Sequence, residues 1–176
     1  LRRATPLIFS ATAVAIGFKM LIFNIGVEGQ YLFAALIAAE AGSRVSLPMA
    51  LHIAFILAIA VIAGAFWASI AGVLKVRKNV HEVISTIMLN YIALSVIQWL
   101  LENFFGDDTD EGLNVKTTII AESGQMPDLV DGRLNAMFLV ALATAGAFWV
   151  LVYRTRFGFR LRASGYNPNA AEVAGI

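Results

Sequence analysis

The chain has 176 residues, of which 59% are hydrophobic and 14% are charged, and its mean hydropathy is +0.76. An ordinary soluble domain has about 45–50% apolar and about 25% charged residues, so this composition excludes a soluble domain and predicts a membrane protein. The formal net charge is +1, and the absence of cysteine excludes disulfides, thiolate metal sites and cysteine nucleophiles. Because the chain begins at Leu1 without a methionine, we expect an internal piece of a longer chain.

Four apolar stretches are long enough to cross about 30 Å of hydrocarbon, which takes about 20 helical residues. The predicted spans are residues 5–23, 49–73, 83–101 and 134–153. A bilayer admits only helices or closed barrels, and these stretches lack two-residue alternation, so all four are predicted helices. The sequence therefore predicts an all-α polytopic membrane protein, a helical bundle forming one transmembrane domain over residues 1–176.

A polar interruption, NIGVEGQ at residues 24–30, follows the first predicted span. Its glycines permit tight backbone, and its polar side chains would be costly in contact with lipid. The next mostly apolar run, residues 34–41, ends at Glu40 and the GSR of residues 42–44, so it is too short to span. We therefore expect a re-entrant segment or half of a broken helix here, and the sequence leaves both possibilities open.

Polar residues at membrane depth indicate a solute pathway, because ionisable groups there usually mark substrate routes. The candidate pathway residues are Asn24, Glu28 and Gln30 in the interruption and Asn90 in the third span. Two structural alternatives remain. Glu28 could instead form a buried ion pair with Lys19 that has a structural role, and Asn90 could equally be a hydrogen-bonding contact between helices.

Glu82, Thr86 and Asn90 recur at four-residue spacing, so they form one ridge on the third helix that should face protein or water. A contact between helices is favoured for Thr86. His81 and Glu82 are expected to form a solvated helix start at the cytoplasmic side.

Charge asymmetry predicts the orientation. The basic clusters at residues 75–78 and 154–162 should be cytoplasmic, as should Arg2 and Arg3, while the acid-rich residues 102–133 form an external loop.

The segment after the fourth span, about residues 154–171, is predicted to lie on the cytoplasmic side. Asn167 before Pro168 is typical of a helix N-cap followed by proline at the first helical position. Residues 157–164 should form a short amphipathic element that Gly165 closes. Such an element can anchor at lipid headgroups or dock into a groove on a cytoplasmic partner.

Catalytic signatures are missing from the sequence: there is no nucleophile with a base, no pair of catalytic carboxylates and no P-loop. The two histidines, His52 and His81, lie far apart in the sequence, so no metal site is expected. We do not predict an enzyme or a cofactor.

Three motifs, NIGVEGQ, NVHEVISTIMLNYIA and FGFRLRASGYNPNAAEVAGI, together resemble the permease subunit of bacterial ABC importers for nucleosides and simple sugars. Ribose and branched-chain amino acid permeases belong to the same superfamily. The motifs occur in the family's order and extend over most of the chain. His81 departs from the small or amide residue more usual in the family. The residues of the first two motifs are more similar to the nucleoside branch of the family, which favours a nucleoside over a sugar as the solute.

The resemblance implies a multi-pass protein of the bacterial cytoplasmic (inner) membrane, with no nucleic-acid partner. The implied partners are cytoplasmic ABC ATPase subunits, a second permease subunit in a homo- or heterodimer, an extracytoplasmic solute-binding protein and the lipid bilayer. The resemblance also assigns ATPase coupling to the cytoplasmic segment, at Phe157, Gly158, Arg160, Arg162, Gly165, Asn167 and Pro168.

Two other functions fit the residues alone. An ion-coupled secondary transporter also uses broken helices at the membrane midplane. A scaffold without transport activity would use the polar ridge only for helix contacts.

Overall fold

The computed structural model describes residues 4–106, 116–130 and 134–176. The helices are α1 (Ala4–Lys19), α2 (Val27–Ser43), α3 (Met49–Lys78), α4 (Glu82–Leu100), α5 (Met137–Arg154), α6 (Arg156–Tyr166) and α7 (Pro168–Val173). A π-helical turn, Leu101–Phe105, extends α4, and Glu122–Gly124 forms a 3-10 turn. Two short strands, β1 (Asp128–Val130) and β2 (Leu134–Asn135), pair antiparallel. The predicted all-α class is confirmed, with this hairpin as a small addition.

Two compact units make up the chain. One contains α1 and the residues from Met126 onward, and the other contains Gly26–Gln125. Arg2, Arg3, Arg133 and residues 107–115, which hold half of the acidic groups of the predicted external loop, lie outside the described residues.

Among the described helices, three are long and apolar enough to cross a membrane: α3 with 30 residues, α4 with its π-helical turn with 24, and α5 with 18. Helix α1 is apolar but has only 16 residues. Helix α5 begins three residues after the predicted start of the fourth span because Leu134–Asn135 is paired in the hairpin. The crossing of the bilayer by these helices in the predicted order stays a prediction.

The end of α1 differs from the predicted span, which continued to Phe23. The helix ends at Lys19 because a Schellman motif closes it: the Ile22 N–H donates to the Gly17 carbonyl (3.0 Å) and the Leu21 N–H donates to the Phe18 carbonyl (3.2 Å). Leu21 takes the left-handed conformation, with φ of 54°, that glycine usually supplies at this position. The helix break therefore precedes NIGVEGQ.

In the unit formed by Gly26–Gln125, α2 packs against both α3 and α4. Its core is a cluster in which the rings of Phe33 and Trp67 stack with centroids 4.4 Å apart, and Ala93 of α4 is fully buried beneath them. The narrow Ala63 and Ala71 flank Trp67 on the buried face of α3. Ala63 and Ala71 are eight residues apart, so the buried face of α3 presents a small, a large and a small side chain at successive four-residue steps.

In the other unit, α1 packs against α5, and α6 packs against α5 and α7. Ala141 and Val152 of α5 are fully buried. Many large apolar side chains of α1 and α5 are instead exposed, including Leu7 (69%) and Leu139 (53%). An exposed apolar helix surface is what a lipid-facing or subunit-facing helix requires.

Candidate functional site

The start of α2 lies beside the middle of α4. Its N-cap residue, Gly26, has no side chain with which to accept a hydrogen bond from the first turn. The Asn90 side chain of α4 fills this role, because its Oδ1 accepts from the Gly29 N–H at 2.9 Å. Asn90 therefore acts as an N-cap supplied by another helix, which is one of the two roles that the sequence left open for this residue.

Close approach of the two helices depends on Gly29. A Cβ at this position would lie 2.8 Å from Asn90 Oδ1 and 3.0 Å from both Asn90 Cα and Ala93 Cβ. Asn90 follows Glu82 by about two helical turns, or about 12 Å along the axis of α4. Helix α2 therefore begins nearly halfway along α4 and then runs for 17 residues, or about 25 Å.

The remaining predicted pathway residues have different surroundings. Glu28 is exposed in the first turn of α2, where the positive end of the helix dipole stabilises its carboxylate. Gln30 is half-buried on the same helix. Asn24 is half-buried and belongs to the other unit, in the irregular segment after α1. In that unit the Lys19 ammonium lies 5.5 Å above the centre of the Tyr153 ring, a cation–π contact.

The predicted ridge on α4 is buried along most of its length. Glu82 and Thr86 are 8% and 3% exposed, and Asn90 is half-buried. The Thr86 hydroxyl donates to the Glu82 carbonyl at 2.7 Å. The expectation that this ridge faces protein or water is confirmed.

The expected solvated helix start is correct for His81 and wrong for Glu82. His81 is exposed and its Nδ1 accepts from the Val83 N–H at 3.4 Å, which caps α4. The Glu82 carboxylate is buried, and its Oε2 lies 2.7 Å from the Lys75 ammonium at the end of α3. A buried carboxylate needs such a partner, and only packing of α3 against α4 brings Lys75 to it.

His52 was not predicted to have a specific role, yet it is completely buried near the start of α3. Its Nε2 lies 2.9 Å from the Gly42 carbonyl of α2 and its Nδ1 lies 2.8 Å from the Ser123 hydroxyl. Because a carbonyl can only accept, Nε2 carries a proton and donates to Gly42. This imidazole connects α2, α3 and the 3-10 turn, so its role is structural.

The predicted coupling segment forms a sharp corner between α5 and α6. Thr155 caps α6, because its Oγ1 accepts from the Gly158 N–H at 3.0 Å. A Cβ on Gly158 would lie 2.2 Å from the Leu151 carbonyl oxygen and 2.3 Å from that of Val152, so only glycine fits this corner. The predicted N-cap at Asn167 is confirmed, because its Oδ1 accepts from the Ala170 N–H at 3.0 Å.

Gly165 does not close the amphipathic element, as the sequence suggested; it lies inside α6, which continues to Tyr166. A Cβ on Gly165 would lie 2.5 Å from the Lys19 carbonyl oxygen, so the glycine permits α6 to pack on the end of α1. Arg162 also faces inward, with its guanidinium 5.2 Å from the centre of the Tyr153 ring. The exposed members of the predicted coupling set are Phe157, Arg160, Asn167 and Pro168.

Among the described residues, no group of three or more histidine, aspartate or glutamate side chains is arranged to hold a metal ion. Sequence reasoning missed Glu40 and Arg44, which form an ion pair through Oε1 and Nε at the end of α2. The available signal was their four-residue spacing at the end of an apolar run.

Comparison with known proteins identifies the family. The model of the branched-chain amino acid transport system permease component matches residues 1–176. This chain belongs to that permease family. It is therefore a polytopic membrane protein, in agreement with its apolar helices.

Three curated relatives have similar sequences. The guanosine ABC transporter permease protein NupP of Bacillus subtilis is 38% identical, over 100% of this chain and 51% of the relative. The nucleoside ABC transporter permease protein NupB of Lactococcus lactis is 33% identical, over 97% and 49%. The glucose ABC transporter permease protein TsgB13 of Haloferax volcanii is 32% identical, over 99% and 48%. The chain thus spans about half the length of these relatives. No solved structure matches it.

Proposed function

We propose that this chain is part of the permease subunit of an ABC importer in the bacterial cytoplasmic membrane. The solute is a small polar molecule, a nucleoside or a simple sugar. The observation that carries this proposal is the family match over residues 1–176. Relatives named for guanosine, nucleosides and glucose support the solute class. ATP hydrolysis then belongs to a separate subunit.

The proposed partners are cytoplasmic ABC ATPase subunits, an extracytoplasmic solute-binding protein and a second permease subunit, identical or homologous. For the ATPase, the exposed side of α6 supplies a suitable surface. Phe157 is 60% exposed and Arg160 lies one turn further along the helix, so an apolar anchor is next to a positive charge.

The proposed solute pathway passes Asn24, Glu28, Gln30 and Asn90. Support comes from the start of α2 beside the middle of α4, since a broken helix at membrane depth is tolerated where it meets protein or a water-filled cavity. Asn90 has a capping role in addition, so its replacement would alter the helix contact and the pathway together. Glu28 is the better probe because it is exposed.

Reconstitution tests the proposed function. Proteoliposomes that contain the whole permease, its ATPase subunits and the loaded binding protein should take up labelled guanosine only when ATP is supplied. Collapse of the ion gradients should leave this uptake unchanged. Uptake that survives without ATP and stops when a gradient collapses would instead identify an ion-coupled secondary transporter.

Arg160→Glu tests the coupling surface. The replacement should abolish stimulation of ATP hydrolysis by loaded binding protein, while the purified permease keeps its melting temperature, because the side chain is exposed. Arg77→Glu makes the same change at an exposed residue near the end of α3 and should have a smaller effect. Normal stimulation with Arg160→Glu would contradict the coupling role. Gly165 is unsuitable for this test because any side chain there would displace α6.

The orientation is tested with single cysteines in this cysteine-free chain. A cysteine at Thr109 should react with a membrane-impermeant thiol reagent in intact cells, and one at Ser164 should react only after lysis. The opposite pattern would overturn the orientation.

Glu28→Gln tests the pathway. The substitution retains the size of the side chain and removes its charge. At an exposed pathway residue it should reduce uptake and leave thermal stability unchanged. A loss of stability with poor assembly would instead indicate that Glu28 neutralises a buried cation.

A further inference from the structure

A cavity of about 340 Å³ lies at the end of α2, between this helix, the π-helical turn after α4 and the segment around Thr118. It lies within the unit formed by Gly26–Gln125. The volume is at the lower end of the range for small-molecule sites, so the cavity suits a single small solute. In the predicted orientation it opens on the extracytoplasmic side, at the start of the acid-rich segment.

One wall of the cavity carries a buried carboxylate with an unused oxygen. Glu40 is 7% exposed, and its Oε1 is paired with Arg44 Nε. Its Oε2 is buried and has no hydrogen-bond partner among the described residues. A buried carboxylate oxygen without a donor is costly, so this atom favours a ligand that brings an O–H or N–H group.

The same wall also offers donors and hydroxyl oxygens. The Arg44 side chain is 67% exposed, and only its Nε is occupied by Glu40, so the remaining guanidinium N–H groups are available to an acceptor. The Thr118 hydroxyl donates to Ser43 Oγ at 2.7 Å, which leaves the Thr118 oxygen able to accept. Because Glu40 and Arg44 neutralise each other, the wall favours an uncharged ligand with both donors and acceptors.

Another part of the cavity lining is aromatic. Phe104 is 59% exposed, and its ring meets Trp99 edge-on with the centroids 5.0 Å apart. This contact holds the Phe104 ring in place and leaves ring surface open. A flat heterocycle can stack on such a surface, which typically contributes about 1–3 kcal/mol per base.

We propose that this cavity is a nucleoside-binding site on the permease itself, in which Glu40 and Arg44 bind donor and acceptor groups of the solute and Phe104 stacks on its base. The inference rests on the proposed function and specifies it further. It assigns part of the solute selectivity to the permease, at a point where solute enters the membrane-embedded part of the transporter.

The test measures equilibrium binding of labelled guanosine to the complete importer in nanodiscs, without soluble binding protein. Glu40→Gln should weaken guanosine binding about tenfold or more, because a hydrogen bond to a charged group is lost. Phe104→Leu keeps an apolar side chain but removes the flat ring, and should weaken binding about fivefold or more. Glu102→Gln is the matched control: the residue is exposed at the same end of α4 and does not line the cavity.

Glucose and leucine serve as comparison probes. Stronger binding of leucine than of guanosine, with loss of leucine binding in Glu40→Gln, would overturn the ligand class in favour of a zwitterion. Binding of glucose that needs Glu40 but not Phe104 would overturn the stacking contact. Unchanged guanosine binding in both variants would overturn the site.

Two further measurements keep the test decisive. Melting temperatures show whether the importer with Glu40→Gln remains assembled. If it does not, guanosine binding by Thr118→Val and Phe104→Leu tests the site. Thr118→Val should bind guanosine about threefold more weakly. If the wild-type importer shows ATP-driven guanosine uptake and all three variants retain it, the proposed site is overturned and the proposed function stands. A wild-type importer with no ATP-driven uptake would overturn the proposed function instead.

Discussion

Helices α2 and α7 have their first N–H groups satisfied in opposite ways. Helix α7 is capped by the residue that precedes it, since Asn167 Oδ1 accepts from Ala170 N–H at 3.0 Å. Helix α2 follows Gly26, which has no side chain, and its cap comes from Asn90, 61 residues further along the chain. A local cap keeps its helix start wherever the helix packs, whereas a distant cap exists only while α2 and α4 remain together.

The α5–α6 corner gives the largest expected effect, because there a local cap and a close backbone contact coincide. Gly158→Ala should destabilise the protein by about 3 kcal/mol or more, since its Cβ would lie 2.2 Å from the Leu151 carbonyl oxygen. Gly146→Ala is the control: a Cβ there meets nothing within 4 Å. The measurement is thermal or denaturant unfolding in detergent. Equal stability of the two variants would show that the corner is not this tight.

Asn90→Leu tests the distant cap. The substitution preserves the approximate volume and removes the acceptor for the Gly29 N–H, so we expect a loss of about 2 kcal/mol. Asn103→Leu makes the same change at an exposed residue after α4 and should cost less. Hydrogen exchange should locate the effect of Asn90→Leu at the start of α2. Protection that stays unchanged there would contradict the capping role.

Asn167→Ala tests the local cap and should destabilise α7 by about 1 kcal/mol. Asn169→Ala, two residues further along the same helix, leaves the cap intact and controls for the loss of an exposed amide. Faster amide exchange confined to α7 is the expected result. Exchange that also increases in α2 would mean that the local and distant caps are not independent.

Leu21→Gly should give the smallest effect and the opposite sign. Leu21 has a φ of 54° in the Schellman motif after α1, a conformation in which glycine has no Cβ penalty. We expect a gain of about 0.5–1 kcal/mol, measured as a higher melting temperature. Ile22→Gly, at the neighbouring exposed position, should be neutral or destabilising. A loss of stability in Leu21→Gly would show that the side chain contributes more than its backbone strain costs.

Sequence reasoning succeeded where the signal was local. The Asn167–Pro168 pair predicted the start of α7, and the apolar runs predicted helices close to α3, α4 and α5. It was less accurate at the end of α1, because Leu21 gives no sign of left-handed backbone. At Glu82 it was wrong because the carboxylate is paired with Lys75 only once α3 and α4 have packed.

The sequence alone determined that this is a helical membrane protein with polar residues at a helix break, because composition, apolar run length and caps act over a few neighbouring residues. Only the tertiary structure decided that Asn90 caps α2 and that His52 connects α2 to Ser123. It also decided that Glu40, whose Oε2 has no hydrogen-bond partner among the described residues, lines the same cavity as Phe104. Each of these depends on groups far apart along the chain. Helix packing sets the distances between these groups, and no single segment of the sequence carries information about that packing.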